Sequence, residues 1–221
     1  TGEVQTGIII PETAFESDTV SGDVCEYVDY KMDSFLGLKT EAQKRRFIVC
    51  WLYTNKQTMF DKVIPFDYDR VATREEASRM IGNFVKEVLN KNPIRKKTDK
   101  ICRFVDLEEA RPWLVPYIKQ SCEYGVFNGT YDHEFLPNEW LNQAHAIATV
   151  LRASYGYQDE QGNDPWFRPY TDLIQEKNLE RRWFAVPDTD LMSLYYKGMT
   201  RGNLWEFMYR VAVDVFATNN Q

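Results

Sequence analysis

The residues best suited to chemistry lie in three short, related motifs, each at the start of a predicted helix. The motifs are Thr73-Arg74-Glu75-Glu76, Asn142-Gln143-Ala144-His145 and Thr200-Arg201-Gly202-Asn203. Each motif follows a helix and a loop, so the chain carries one helix-loop-helix unit three times. Because one such unit cannot bury its apolar face alone, the copies must pack on one another. We therefore expect ligand-binding chemistry between the copies rather than inside one of them.

Catalysis is a weaker interpretation of the same sequence. Paired acids such as Asp67 with Asp69, or Glu108 with Glu109, could supply acid-base chemistry. The sequence pattern does not place these acids in a cleft, and no nucleophile, metal or phosphate-loop motif occurs. The four cysteines lack Cys-x-x-Cys spacing and there are only two histidines, so no zinc site is expected. We predict a non-catalytic protein without a metal or cofactor.

Composition and charge limit the expected partners. Apolar residues make up 43% and charged residues 27% of the chain, as in ordinary globular proteins. No stretch approaches the roughly 20 apolar residues of a membrane span. The sequence has no basic stripe of the kind that phosphate backbones require, so nucleic acid is not an expected partner. Its 6 Trp, 13 Tyr and 13 Phe predict either a core of bulky rings or a surface suited to flat ligands such as sugars.

The first 30 residues differ from the rest of the chain. They hold seven acidic residues and no Lys or Arg, whereas the remainder is nearly neutral, with 26 acids against 27 bases. Their one apolar run, Ile8-Ile9-Ile10, precedes Pro11, and β-branched residues before a proline favour extended backbone. We expect residues 1–30 to form an extended acidic arm. Since an isolated strand needs hydrogen-bond partners, the arm lies on its own domain or adds to a neighbouring molecule.

The rest of the sequence predicts a mainly helical protein. The three units are expected at 31–90, 102–155 and 164–217. In the first unit, apolar residues spaced by three and four predict a helix over 41–56. Thr73 and Glu76 then form a capping box for a second helix that continues to Val88.

The second and third units repeat this order of elements. In the second, Pro112 opens a helix that ends at Gly125, a natural left-handed cap, and Asn128-Gly129 predicts a tight turn. In the third, the first helix ends near Asn178, and Thr200 caps the last helix of the chain.

Together these features resemble the S-layer homology repeat. The second unit carries the resemblance most clearly, through Phe104, Asp106, Trp113, Ile118, Gly125, Gly129, Phe135, Pro137 and Asn138. The first and third units match through Thr73-Arg74-Glu75-Glu76 and Thr200-Arg201-Gly202-Asn203, where the family has a motif of the Thr-Arg-Ala-Glu type. The resemblance covers about 41–216.

The resemblance implies a mainly α fold in which three helix-loop-helix repeats pack as a pseudo-threefold helical spindle. It also implies an extracellular protein of the bacterial cell surface that attaches to cell-wall polysaccharide, commonly a pyruvylated polymer, in grooves between repeats. The arginine of the family motif maps onto Arg74 and Arg201, whose planar guanidinium groups can bind a ketal carboxylate bidentately. The implied glycan-binding residues are Thr73, Arg74, Glu75, Glu76, Asp106, Trp113, Asn142, Gln143, Trp166, Thr200 and Arg201.

This chain departs from the family motif in ways that affect the sites. Gln143 stands where arginine is expected, and glutamine can bond a sugar but cannot neutralise a carboxylate. At most two anion sites are therefore expected. Trp113 and Trp166 lie on first helices, where a packing role competes with a role as a sugar platform. His145 lies near the apolar face of its helix and is expected to be structural.

The repeat organisation predicts a disulfide between Cys102 and Cys122 inside the second copy. It predicts another between Cys25 and Cys50, which would join the arm to the first copy. Each disulfide would contribute about 2–4 kcal/mol. The cysteine count alone also fits four buried free thiols.

A second function stays open beside attachment to the cell wall. The altered motifs and the apolar run Ile8-Ile9-Ile10 also fit a self-assembling subunit of a surface layer or extracellular filament. In that case the arm docks onto a neighbouring subunit, and the protein is a homo-oligomer.

Overall fold

A computed structural model describes residues 68–96, 99–158, 160–180 and 190–219, together with positions 37, 38, 40, 44, 47, 48, 50 and 51. The chain divides into two compact units, Thr1–Phe66 and Asp67–Gln221. The division falls within 31–90, the predicted first repeat. The predicted arm, with Ile8, Ile9 and Ile10, lies outside the described residues.

The prediction of a mainly helical protein is confirmed. The second unit contains α1 (Arg74–Asn83), α2 (Val115–Glu123), α3 (Gln143–Tyr155), α4 (Arg168–Glu176), α5 (Ser193–Tyr196) and α6 (Arg201–Asn219). A π-helical segment, Phe84–Val88, continues α1, and 3-10 turns occupy Lys100–Cys102 and Leu107–Glu109. In the first unit, positions 44, 47, 48, 50 and 51 are helical, inside the helix predicted over 41–56. None of the helices in the described part of the chain combines the length and the apolar sequence that crossing a membrane requires.

Helices α1, α3 and α6 each begin directly after the first residue of one of the three motifs. Asn142 Oδ1 accepts the backbone N–H of His145 at 2.8 Å, and Thr200 Oγ1 accepts that of Asn203 at 3.2 Å. At α1 the bond runs the other way, since Glu76 Oε2 accepts the backbone N–H of Thr73 at 3.3 Å. The three motifs therefore act as N-caps, as their sequences predict.

The segments that precede these three helices are joined by a closed ring of backbone hydrogen bonds. Ala72 N–H donates to Met199 O at 2.9 Å, Leu141 N–H to Ala72 O at 2.9 Å, and Met199 N–H to Leu141 O at 2.7 Å. Each of the three residues donates one bond and accepts one, and all three are fully buried. We call these three residues the backbone ring. It places the N-termini of α1, α3 and α6 around one point.

A second set of bonds surrounds the backbone ring. The first residue of each motif helix donates its N–H to the neighbouring segment, and the pairs are Arg74 to Glu139 O, Gln143 to Lys197 O and Arg201 to Arg70 O, at 2.9, 2.8 and 2.9 Å. The same register gives antiparallel bridges of Thr73 with Trp140, Asn142 with Gly198 and Thr200 with Val71. The backbone N–H of each first helical residue is therefore bonded to a different neighbouring segment.

The first helix of the second copy and that of the third copy end in the same way. After α2, Val126 N–H bonds Ser121 O and Gly125 N–H bonds Cys122 O, with Gly125 at φ +72°. After α4, Leu179 and Asn178 make the corresponding bonds, with Asn178 at φ +52°. These are Schellman ends, in which the left-handed residue is glycine in one copy and asparagine in the other. The prediction that the first helix of the third unit ends near Asn178 is confirmed.

The loop between α2 and α3 is held by one carboxylate. Asp106 is buried, and its two oxygens accept the backbone N–H groups of Phe135 and Leu136 at 2.8 and 2.7 Å. Gly129, at φ +74°, lies against the same loop, and a Cβ there would lie 2.8 Å from Glu134 O. The turn at this position therefore requires glycine.

The predicted disulfide within the second copy is confirmed. Cys102 and Cys122 are bonded, with their Cα atoms 5.7 Å apart, and the bond ties the 3-10 turn before the copy to α2. The other predicted pairing joins Cys50 to Cys25, and Cys25 lies outside the described residues. That pairing stays a prediction.

We expect the Cys102→Ala/Cys122→Ala variant to lose about 3 kcal/mol of unfolding free energy. The bond spans a sequence separation of 20, and closing a loop of this size restricts the unfolded chain by about that amount. Chemical denaturation of the variant and the wild-type protein at neutral pH measures the difference. A loss below about 1 kcal/mol would mean that the disulfide is not a stabilising link in this fold.

Candidate functional site

A small cavity opens where the N-terminus of α1 meets the loop after α2, one face of α3 and the residues before α4. We call it the Arg74 groove, and its volume is about 180 Å³. Its lining residues are Arg74, Val126, Phe127, Asn128, Gly129, His145, Ala148, Thr149, Arg152 and Trp166. The groove therefore draws on the motif of the first predicted repeat, the loop and second helix of the second, and the tryptophan of the third. Arg74 and Trp166, both predicted glycan-binding residues, lie together in it.

Arg74 is held in place without being neutralised. Its Nε donates to Phe135 O at 2.7 Å, and its guanidinium carbon lies 5.4 and 5.2 Å from the ring centroids of Phe127 and Phe135. It makes no ion pair with any residue that the structure describes. Burial lowers the pKa of Arg74, partly offset by the charges of Asp106 and Glu139. A fixed guanidinium with unused donors and no carboxylate partner is suited to an anionic ligand.

The opposite wall of the groove is one face of α3. His145, Thr149 and Arg152 follow at spacings of four and three, so their side chains lie along the same side of the helix. Arg152 is already neutralised, since its Nη2 lies 2.7 Å from Glu160 Oε1. Its Nε also donates to the hydroxyl of Tyr170 at 3.2 Å. The uncompensated positive charge of the groove is therefore that of Arg74.

Two aromatic rings lie beside His145 on this side of the groove. The ring centroids of His145 and Trp166 lie 5.4 Å apart at 32°, and those of His145 and Tyr195 lie 5.6 Å apart at 67°. Trp166 is half-buried and Tyr195 is exposed. Two aromatic rings therefore lie near a half-buried guanidinium, an arrangement suited to a ligand that carries both an apolar face and an anionic group.

The pKa of His145 is lowered to about 4, first by burial and then by the positive charges of Arg74 and Arg152. The imidazole is therefore neutral at physiological pH. It offers a hydrogen-bonding group at the side of the groove without adding charge.

Arg201, the second arginine predicted to bind glycan, lies in a different environment from Arg74. Arg201 is 2% exposed, its Nη2 lies 2.7 Å from Glu76 Oε1, and its Nε lies 3.3 Å from Glu76 Oε2. Glu76 also pairs with Arg70 and with Arg111, whose Nη2 lies 2.6 Å away. Glu76 is the third residue of α1, and His145 is the third residue of α3. The motif of α1 therefore has a carboxylate at the position where the motif of α3 has a neutral imidazole ring. Arg201 is thus bonded to a carboxylate of the protein itself.

The other predicted site residues make intramolecular contacts. Glu75 is buried and accepts the backbone N–H of Arg111 at 2.9 Å, and Asp106 holds the loop described above. Trp113 is 38% exposed and lies beneath the guanidinium groups of Arg79 and Arg111. Thr73, Asn142 and Thr200 are caps, and Gln143 is buried. Whether these residues bind glycan stays a prediction.

Three residues of this region did not follow from the family motif. They are His145, expected to be structural, together with Arg152 and Tyr195. The spacing of His145, Thr149 and Arg152 on one helix face was a usable signal, because polar residues there interrupt an apolar helix. Tyr195 had no comparable signal, since it lies on α5, far from His145 in the sequence. Within the described ranges, no group of three or more His, Cys, Asp or Glu side chains is arranged to hold a metal ion.

The buried His145 should make the stability of the protein fall with acidification. Its pKa is about 4 in the folded protein and about 6.5 in an unfolded chain, so between these values the unfolded chain binds more protons. We expect a loss of about 3 kcal/mol from this group as the pH falls from 7 to below 4. Denaturant unfolding across this range should show a smaller loss for His145→Gln than for the wild type.

The matched control for this measurement is His133→Asn, which removes the other histidine, an exposed one in a left-handed turn that asparagine tolerates. It should keep the wild-type pH dependence. Identical pH profiles for His145→Gln and the wild type would contradict the assignment.

Comparison with known proteins adds no identification. A scan against protein-family models finds no match to this chain, and a search of curated protein sequences finds no similar protein.

Proposed function

We propose that this protein is a non-catalytic, extracellular cell-surface protein that attaches to an acidic cell-wall polysaccharide, and that the Arg74 groove is its binding site. The observation that carries the proposal is Arg74 itself, an immobilised and largely buried guanidinium whose partners among the described residues leave its charge unneutralised. Leaving a charge in such a place costs folding free energy, which a ligand carboxylate would recover.

The arrangement of the helices supports this proposal. The backbone ring relates the three motif helices by the same bond at each corner, as three S-layer homology-like repeats packed in a pseudo-threefold spindle would require. The resemblance implies binding grooves between repeats, and the Arg74 groove is lined by residues of all three predicted repeats.

The chemistry of the groove supports an acidic sugar as the ligand, such as a pyruvylated one. None of the described residues that line it is acidic, so a carboxylate entering it would be the first to pair directly with Arg74. A cavity of about 180 Å³ suits one charged substituent or ring rather than a long stretch of polymer. Trp166 and Tyr195 can cover the faces of the sugar that remain outside.

The number of carboxylate sites follows from Glu76. Because Glu76 bonds Arg201 as a ligand carboxylate would, the third motif offers no open guanidinium. Gln143 replaces arginine in the second motif. We therefore propose one carboxylate site per chain. The confirmed disulfide agrees with an oxidising compartment outside the cell.

Replacing Arg74 should abolish attachment to cell walls. Removing one partner of a buried charge pair costs at least about 2 kcal/mol, so we expect Arg74→Ala to weaken binding about 30-fold or more. Arg74→Lys should be weakened as well, because lysine lacks the bidentate geometry. The measurement is cosedimentation of each purified variant with walls that carry a pyruvylated polysaccharide.

Arg168→Ala is the matched control, because it removes an exposed arginine outside the groove and should bind like the wild type. Walls from which mild acid has removed the ketal should bind neither protein. If Arg74→Ala remains folded and pellets with intact walls as the wild type does, the proposed site is wrong.

A further inference from the structure

A second and larger concavity lies on another part of the same unit. We call it the basic cleft, and its volume is about 820 Å³. It lies between α2 and the linker that precedes the second copy, beside the Cys102–Cys122 bond. Its apolar lining residues, called its apolar floor below, are Pro93, Phe104, Leu107, Val115 and Pro116, of which Phe104 is buried and the two prolines are exposed. The cleft shares no lining residue with the Arg74 groove.

The rim of the basic cleft is positively charged. Among the described residues that line it, Lys86, Arg103 and Lys119 are basic and Glu123 is acidic. Lys86 pairs with Glu87 at 2.8 Å, whereas Lys119 is exposed and makes no ion pair with a described residue. Residues 91–103, three of which line the cleft, include six basic residues and one acid. An apolar floor with a cationic rim fits a peptide that combines apolar and acidic side chains.

The chain itself contains a segment of this composition. Residues 1–30 carry seven acids and no base, and their one apolar run, Ile8-Ile9-Ile10, is followed closely by Glu12 and Glu16. We propose that the basic cleft binds the acidic N-terminal segment of a second copy of this chain. The isoleucines lie on the apolar floor, and the acids that follow them face Arg103 and Lys119.

The interaction has a defined consequence for assembly. The segment and the cleft are different surfaces of one chain, so the contact is heterologous, and each chain can donate a segment and accept one. Such contacts build rings or open filaments rather than closed two-fold dimers. This proposal does not depend on polysaccharide binding, because the basic cleft and the Arg74 groove have no lining residue in common.

Sedimentation velocity of the full-length chain tests the proposal. We expect the wild type to form oligomers at low salt that dissociate as the salt concentration rises, because the contact joins exposed charges. Arg103→Glu/Lys119→Glu and, separately, Glu12→Lys/Glu16→Lys should each sediment as monomers. Mixing the two variants should restore oligomers, because the reversed segment of one then matches the reversed cleft of the other. Arg74→Ala should assemble like the wild type.

Three outcomes would overturn the proposal. They are a wild type that stays monomeric at low salt, a cleft variant that assembles as the wild type does, and a mixture that stays monomeric. Helix content measured by circular dichroism shows that each variant is folded, and Arg103→Gln/Lys119→Gln repeats the test without adding acids to the cleft. Cosedimentation of the same variants with cell walls should be unchanged, which separates this proposal from that for the Arg74 groove.

Discussion

The backbone ring at Ala72, Leu141 and Met199 is the constraint on which the rest of the second unit depends. Three chain segments that are far apart in sequence meet there, and each contributes one donor and one acceptor to a fully buried site. A buried peptide group without a partner costs about 1–3 kcal/mol, so the three segments are stable there only together. The ring fixes the start of α1, α3 and α6, and with it the direction in which each first helical residue projects.

Helices α1 and α3 begin with the same backbone geometry but have different side chains at their third residue. The third residue of α1 is Glu76, whose carboxylate gathers Arg70, Arg111 and Arg201, while the third residue of α3 is the neutral His145. A carboxylate at the position of His145 would be available to neutralise Arg74 as Glu76 neutralises Arg201. The positions of Glu76 and His145 have the same backbone geometry and differ in their side chains, and this difference leaves the Arg74 groove open. Arg201 is bonded to a carboxylate of the protein, whereas Arg74 has no carboxylate partner among the described residues.

Much of this organisation could be predicted from local sequence. Three kinds of feature depend on residues that are close in sequence and have strong conformational preferences. They are the helix caps at Asn142 and Thr200, the left-handed helix end at Asn178 and the disulfide between Cys102 and Cys122. The ion pair of Arg201 could not be predicted from local sequence. Its partner Glu76 is 125 residues away, and the motif itself is the same Thr-Arg pair in both copies. Which arginine stays open is decided by tertiary pairing.

The two cationic surfaces of the molecule should respond differently to their surroundings. Arg74 is largely buried and fixed by a backbone carbonyl and two rings, so its attraction for a carboxylate is little screened by salt and depends on exact fit. Arg103 and Lys119 are exposed, and salt screens charges in such positions. Under the two proposals made above, attachment to an acidic polysaccharide through Arg74 would therefore persist at salt concentrations that dissociate contacts between copies of the chain.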